Sequence, residues 1–226
     1  MADASLTVAL PPGDAVQVDL WRVDLDAVSD ETARRRGATL SQEESRRASR
    51  LRSGQGARRW IGARGALREI LAHYLDVGPA MLTFAESEAG KPILATDPEL
   101  RFNLAHSGGV ALVGAARGHS VGVDVERLRD GLHELDVARR ILGDLAAATL
   151  AVLDPAARTA AFFQLWVRHE AAVKCRGVGL VAAVGTDVAA GLRVGDVAIG
   201  SGYAAAWSLD AGASTAVTTS LRDWIT

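Results

Sequence analysis

The sequence predicts an α+β protein built as a pseudo-twofold pair of similar subdomains, and three observations carry that prediction. At 226 residues the chain is long enough for one large domain or two small, closely packed ones. Its composition, 49% hydrophobic and 23% charged, supplies a packed core and excludes wholesale disorder. Strand-like alternation, helical spacing and short apolar runs then recur in the same order on either side of a seam at residues 116–120. The seam divides the chain into subdomains 1–118 and 119–226. The order of elements carries the duplication, since the halves share no clear identity.

Residues 16–25, VQVDLWRVDL, alternate as a strand with Val16, Val18 and Leu20 on one face. From Leu40 the pattern turns helical: Ser41 precedes Glu44 at capping-box spacing, and Gly54 and Gly56 break the Arg-rich helix that follows. A second amphipathic helix is predicted over 57–75, with Trp60, Ile61, Leu67, Ile70, Leu71 and Tyr74 at helical spacing and Gly78-Pro79 as its stop. Short strands follow at 82–84, 102–104, 110–115 and 121–125, with a Gly90-Lys91-Pro92 turn between the first two. A helical stretch covers 134–152, and a longer helix runs from Ala156 to about Arg176 after Asp154-Pro155, ended by Gly177, Gly179 and Gly185. The remainder, through Trp207 and the Val217 region, reads as strands joined by Gly-rich turns.

Lys plus Arg number 25 against 27 Asp plus Glu, so no chain-wide basic field points to nucleic acid. No apolar run reaches membrane-spanning length, and the start, MADASLTVALPPGDA, has an early acid and no basic region of a secretory signal. Cys175 is the only cysteine, which rules out an intramolecular disulfide and a multi-cysteine zinc site. The expectation is a soluble, cytoplasmic protein. Only Lys91 and Lys174 among the 25 cations are lysines; they are either leftover surface residues or placed for a purpose.

Three segments can carry chemistry. In Val121-Gly122-Val123-Asp124-Val125-Glu126, two acids two apart on a strand face the same side. Two carboxylates projecting together repel unless a cation lies between them, and a hard divalent ion such as magnesium is the natural one. The alternative is a surface strand with its acids in water. On the helix 162–174, Trp166, Glu170 and Lys174 are spaced by four and form one stripe, either a solvent-face pair or a third carboxylate beside a cation. In Arg101 to Gly109 a strand enters a Gly-Gly turn, where His106 can donate to a phosphate or stand as an ordinary loop histidine. No phosphate-cradling GxxxxGK[ST] and no GxGxxG is present. Cys175 reads as a packed residue, and His73, His119 and His133 give no signal.

Taken in order, F-N-L-A-H-S, G-V-D-V-E and F-F-Q-L-W-V-R-H-E-A-A-V-K-C-R-G-V-G-L, with G-K-P ahead of them, resemble the signature of the Sfp-type 4′-phosphopantetheinyl transferases. The resemblance extends from about residue 40 to Leu180. It implies a pseudo-twofold pair of α+β subdomains with the active site at their interface. It also implies magnesium-dependent transfer of phosphopantetheine from coenzyme A to a serine of an apo acyl or peptidyl carrier protein, releasing 3′,5′-ADP, in fatty-acid, polyketide or nonribosomal-peptide systems. By position, Asp124, Glu126 and Glu170 resemble the metal ligands. Glu170 is also the candidate base, and Lys174 resembles the lysine that contacts the phosphates. His106, Lys91, Arg47, Arg59 and Arg64 resemble residues near the nucleotide. A monomer with no nucleic-acid or membrane partner is implied. The chain departs from the family pattern at His169, where Lys is usual, and at Ala105, where Ser is common; a non-catalytic coenzyme A or carrier-binding module is the alternative reading.

Overall fold

The computed structural model describes residues 15–87, 90–179, 183–184, 186–212 and 215–225. The N-terminal segment, Leu180 and Gly185 of the readings above therefore lie outside the described residues. The first half runs β1 (Val16–Asp24), α1 (Asp30–Ala38), α2 (Gln42–Ser49), α3 (Gly54–Leu75), a 3-10 turn at Pro79–Met81, a hairpin of β2 (Phe84–Glu86) and β3 (Pro92–Leu94), then β4 (Leu100–Ser107) and β5 (Val110–Arg117). The second runs β6 (Val121–Arg127), α4 (Glu134–Ile141), α5 (Asp144–Ala151), α6 (Pro155–Arg176), β7 (Arg193–Asp196), β8 (Tyr203–Leu209) and β9 (Val217–Asp223). Among the described residues the elements named in each half are a strand, three helices of which the last has 22 residues, and then strands again. The α+β expectation holds.

One sheet has the order β4-β5-β1-β9 and another β6-β8-β7. Alternation along β1 places Trp21 and Val23 in a cluster with Leu67, Ile70 and Leu71 of α3, and Val18 and Leu20 in a cluster with Val121, Val123 and Trp207 of the second sheet. Behind that sheet, Ala204 and Ala206 of β8 pack with Phe163, Val167 and Ala171 of α6. The result is four layers, α3, sheet, sheet and α6, with apolar residues on both faces of each sheet. Trp21, Trp207 and Trp224 serve this packing, Trp21 and Trp224 edge to face at 5.4 Å.

β9 pairs in parallel with β1, from Val16 opposite Val217 to Arg22 opposite Asp223. The last strand of the chain thus completes the sheet of the first half. It was legible as a strand, but its partner was not.

Three local features differ from the sequence reading. α1 was not anticipated because its only buried residues are Thr32 and Arg36, so no apolar period announces it. Its start signal is present nonetheless: Ser29 Oγ accepts from the Thr32 amide at 3.1 Å, with Asp30 and Glu31 in the first turn. Gly54 and Gly56 open α3 rather than separate two helices, since Ser53 caps at Gly56 and the break falls at residues 50–53. The stretch 134–152 is two helices divided at Gly143, whose φ of 95° few other residues adopt.

Candidate active site

The site forms where β6, α6 and the end of β4 meet. Along β6, Val121, Val123 and Val125 turn into the core between the sheets, which leaves Gly122, Asp124 and Glu126 on the alternate face. Gly122 is required there: a Cβ would stand 2.1 Å from the carbonyl oxygen of Ala171 and 2.4 Å from the amide nitrogen of Cys175. Strand and helix therefore approach backbone to backbone, and this brings Asp124 within reach of the α6 stripe. Lys174 Nζ donates to Asp124 Oδ1 at 2.6 Å. The spacing Glu170 to Lys174, one helical turn, then sets Glu170 in the same field of charge.

Asp124 is 5% exposed, and its Oδ2 is buried with no hydrogen-bond partner among the described residues. Burial pushes its carboxyl up to about 6, with Glu170 and Glu126 adding repulsion and Lys174 opposing it. Glu170 is raised as well, by burial first, with Lys174 lowering it and Glu126 raising it. Glu126 accepts from Ser107 Oγ at 2.8 Å and pairs with Arg129 at 3.1 Å. Among the described residues no three of His, Cys, Asp or Glu converge closely enough to hold a metal by themselves. The three acids nevertheless repel one another, and one buried oxygen among them is unpartnered. That donor set, all hard oxygens, fits a divalent cation whose remaining ligands come from elsewhere.

Lys174 and His106 also line a cleft of about 810 Å3. Its walls are α2 and α3 (Arg47, Trp60, Arg64), the hairpin (Phe84, Pro92) and β4 (Phe102, Asn103). Desolvation by the cleft walls holds the His106 ring below the usual histidine value, helped by Lys174 and Arg47 and opposed by Glu126.

The arginines divide into two groups. Arg64 and Arg68 both bond Glu44, and their guanidinium groups lie over the Phe84 ring at 4.5 and 5.1 Å. Glu44 does this while closing the capping box read from sequence, accepting from the Ser41 amide at 2.8 Å. Burial raises the Glu44 carboxyl, but the Ser41 amide and the two arginines outweigh it and leave the group below its ordinary value. Arg47 lies over Trp60 at 6.0 Å and faces the cleft with its charge unpaired among the described residues. Arg59 is not part of the lining; it binds Asp26 through two hydrogen bonds, at 2.8 and 2.7 Å.

Lys91 is also absent from this lining. Its Nζ donates to the carbonyls of Val121, at 2.7 Å, and Cys175, at 3.5 Å. His169, half-buried on α6, is likewise outside the cleft, and burial lowers its pKa. Ala105 packs into the core between the sheets while touching the cleft. Cys175 is buried, its Sγ donating to Ser120 O at 3.1 Å, and burial raises the thiol pKa. This is the packed cysteine expected.

Sequence reasoning missed Asn103, whose Oδ1 accepts from the Val123 amide at 2.9 Å and ties β4 to β6, and Ser107, which holds Glu126 and also accepts from the Arg127 amide at 3.1 Å. Both lie inside the motif that named His106, on the strand positions alternate to it. Strand period alone would have set them on the opposite face, toward β6.

Residues 120–217, which carry Asp124, Glu126, Glu170 and Lys174, match the model of the 4′-phosphopantetheinyl transferase superfamily. The Synechocystis protein slr0495 is 38% identical over 146 residues, covering 63% of this chain and 59% of that protein. The 4′-phosphopantetheinyl transferase HetI of Nostoc is 34% identical over 167 residues, covering 73% of this chain and 70% of HetI. The 4′-phosphopantetheinyl transferase Sfp of Bacillus subtilis is 25% identical over 153 residues, covering 68% and 67%. The chain belongs to the 4′-phosphopantetheinyl transferase family, whose members move phosphopantetheine from coenzyme A to carrier proteins.

Proposed function

We propose that this chain transfers 4′-phosphopantetheine from coenzyme A to a serine of an apo acyl or peptidyl carrier protein, releasing 3′,5′-ADP with Mg2+ as cofactor. The observation that carries the reading is the group of three mutually repelling acids beside Lys174, which lines the large cleft. Coenzyme A lies in that cleft, where Arg47 and His106 supply its phosphates with charge or hydrogen bonds. Asp124, Glu126 and Glu170 would hold Mg2+, which would supply neutralisation of the pyrophosphate charge.

Glu170 takes the proton from the serine Oγ as the new O–P bond forms and the P–O bond to the departing ADP breaks. Lys174, donating from one turn away, stabilises negative charge gathering on the leaving phosphate. Arg59 joins the nucleotide site only if it leaves Asp26. The enzyme acts in the cytoplasm as a monomer, in fatty-acid, polyketide or nonribosomal-peptide assembly.

The test is intact-mass measurement of apo carrier proteins incubated with the chain, coenzyme A and Mg2+. A phosphopantetheine adduct on the carrier serine is expected, lost without Mg2+ and in Glu170→Gln. Coenzyme A binding with no adduct on any carrier would replace this reading with that of a binding module.

A further inference from the structure

Lys91, just before β3, is bonded back to Ser87, just after β2. Ser87 N donates to Lys91 O at 2.9 Å, Lys91 N to Ser87 Oγ at 3.0 Å, and Gly90 N to Ser87 O at 2.8 Å, with Gly90 at a φ of 74°. Phe84, Ala85, Glu86 and Pro92 of β2 and β3 form one wall of the cleft. From there the Lys91 side chain crosses the seam between the halves.

Its ammonium donates to Val121 O, at the first residue of the strand that carries Asp124 and Glu126, and lies 3.5 Å from Cys175 O, next to Lys174 on the helix that carries Glu170. These carbonyls flank the point where Gly122 allows β6 and α6 to touch. Cys175 O is among the last carbonyls of α6, which lack partners within the helix and carry its negative dipole end, so a cation is favoured there. Lys91 lies outside the cleft lining, in a smaller pocket of about 100 Å3 with Arg101 and Cys175. Burial, with help from Arg101, lowers its pKa.

We infer that Lys91 is a positioning residue: through its bonds to Val121 and Cys175 it fixes the hairpin that walls the cleft to both elements that carry the acids, and it does not itself contact the nucleotide. The inference rests on the proposed transfer, with coenzyme A in the cleft. A lysine at this place need not meet a phosphate to be required for turnover. It sets the distance between a substrate held by one half and the acids held by the other.

The two lysines of the chain make the test direct, because the full chain labelled with [15Nζ]lysine gives two side-chain signals. Expected is a Lys91 signal whose protons exchange slowly and which coenzyme A leaves in place, while the Lys174 signal moves. A Lys91 signal that exchanges as freely as an exposed amine, or that moves with coenzyme A as far as that of Lys174, would overturn the inference. If neither signal moves, the transfer reading fails, and the exchange rate at Lys91 still decides the staple.

Kinetics provide the second arm. Lys91→Met is expected to lower kcat by about tenfold or more, with KM for coenzyme A changed by less than about threefold, because misplacement of bound substrate costs rate before affinity. It should also leave the preference for coenzyme A over dephospho-coenzyme A unchanged. A rise of about tenfold in KM at unchanged kcat, with that preference lost, would mark a direct phosphate contact instead.

Discussion

A carboxylate with a buried, unpartnered oxygen is held in the protein at a cost in stability, and Asp124 makes that cost measurable. Its pKa is raised from the ordinary 3.8 to about 6, so between these values the folded protein holds a proton that the unfolded chain has lost. Stability contributed by this group is therefore full below about pH 4 and falls as pH rises to 6, by about 3 kcal/mol in all. Asp124→Asn is expected to remove that slope and, without Mg2+, to be more stable than the parent at pH 7.5 by a comparable amount, read by urea denaturation at pH 4.5 and 7.5. The same variant should be inactive. In the parent, protons compete with Mg2+ for Asp124, so carrier modification at limiting Mg2+ should weaken as pH drops, and added Mg2+ should offset the loss.

Removing Glu170 has a different signature. Glu170→Gln keeps the size of the side chain and is expected to lower the transfer rate by about 10²–10⁴-fold, the range for loss of a general base, with the melting temperature unchanged or raised. A rate within threefold of the parent in a mass-spectrometric time course would remove Glu170 from the chemistry. These acids were legible because the spacings, two on a strand and four on a helix, place side chains on one face irrespective of tertiary structure. The attachments of Lys91 and Arg59 were not, because a carbonyl at Val121 or a carboxylate at Asp26 leaves no mark in the sequence around its partner.

The contact between β6 and α6 depends on one missing methyl group. Gly122→Ala is expected to destabilise the protein by about 3 kcal/mol or more, because the obstruction is backbone carbonyl and amide rather than a movable side chain. Thermal unfolding checks the magnitude, and retention of parental stability would mean that the helix can shift away from the strand. α2 and α3 are joined by charge instead. Glu44→Ala would leave Arg68, 2% exposed, with only the carbonyls of Pro79 and Leu82 and release Arg64 into the cleft. A loss of about 3–5 kcal/mol is expected, as for other broken buried pairs, measured by chemical denaturation. Elements with an apolar period, α3, α6 and the strands, could be read from sequence; α1 could not, since its buried side chains are a threonine and an arginine. Arg36, 1% exposed, passes under α3 at Gly65, where a Cβ would lie 2.3 Å from its own.

At the scale of the molecule, a seam near residue 118 describes the order of elements but not the way the sheets close. β9 follows the whole second half and then lies against β1, so each half needs the other to complete its hydrogen bonding. Removal of residues 217–225 is expected to expose the edge of β1 and raise amide exchange throughout β1 and β5 as well, measured by hydrogen–deuterium exchange with mass detection; protection retained in β1 would show the first half to be self-sufficient. During synthesis on the ribosome, β1 emerges about 200 residues before its parallel neighbour. The nascent first half must wait one strand short of a finished sheet, its edge open to any other extended chain, until the second half has been translated.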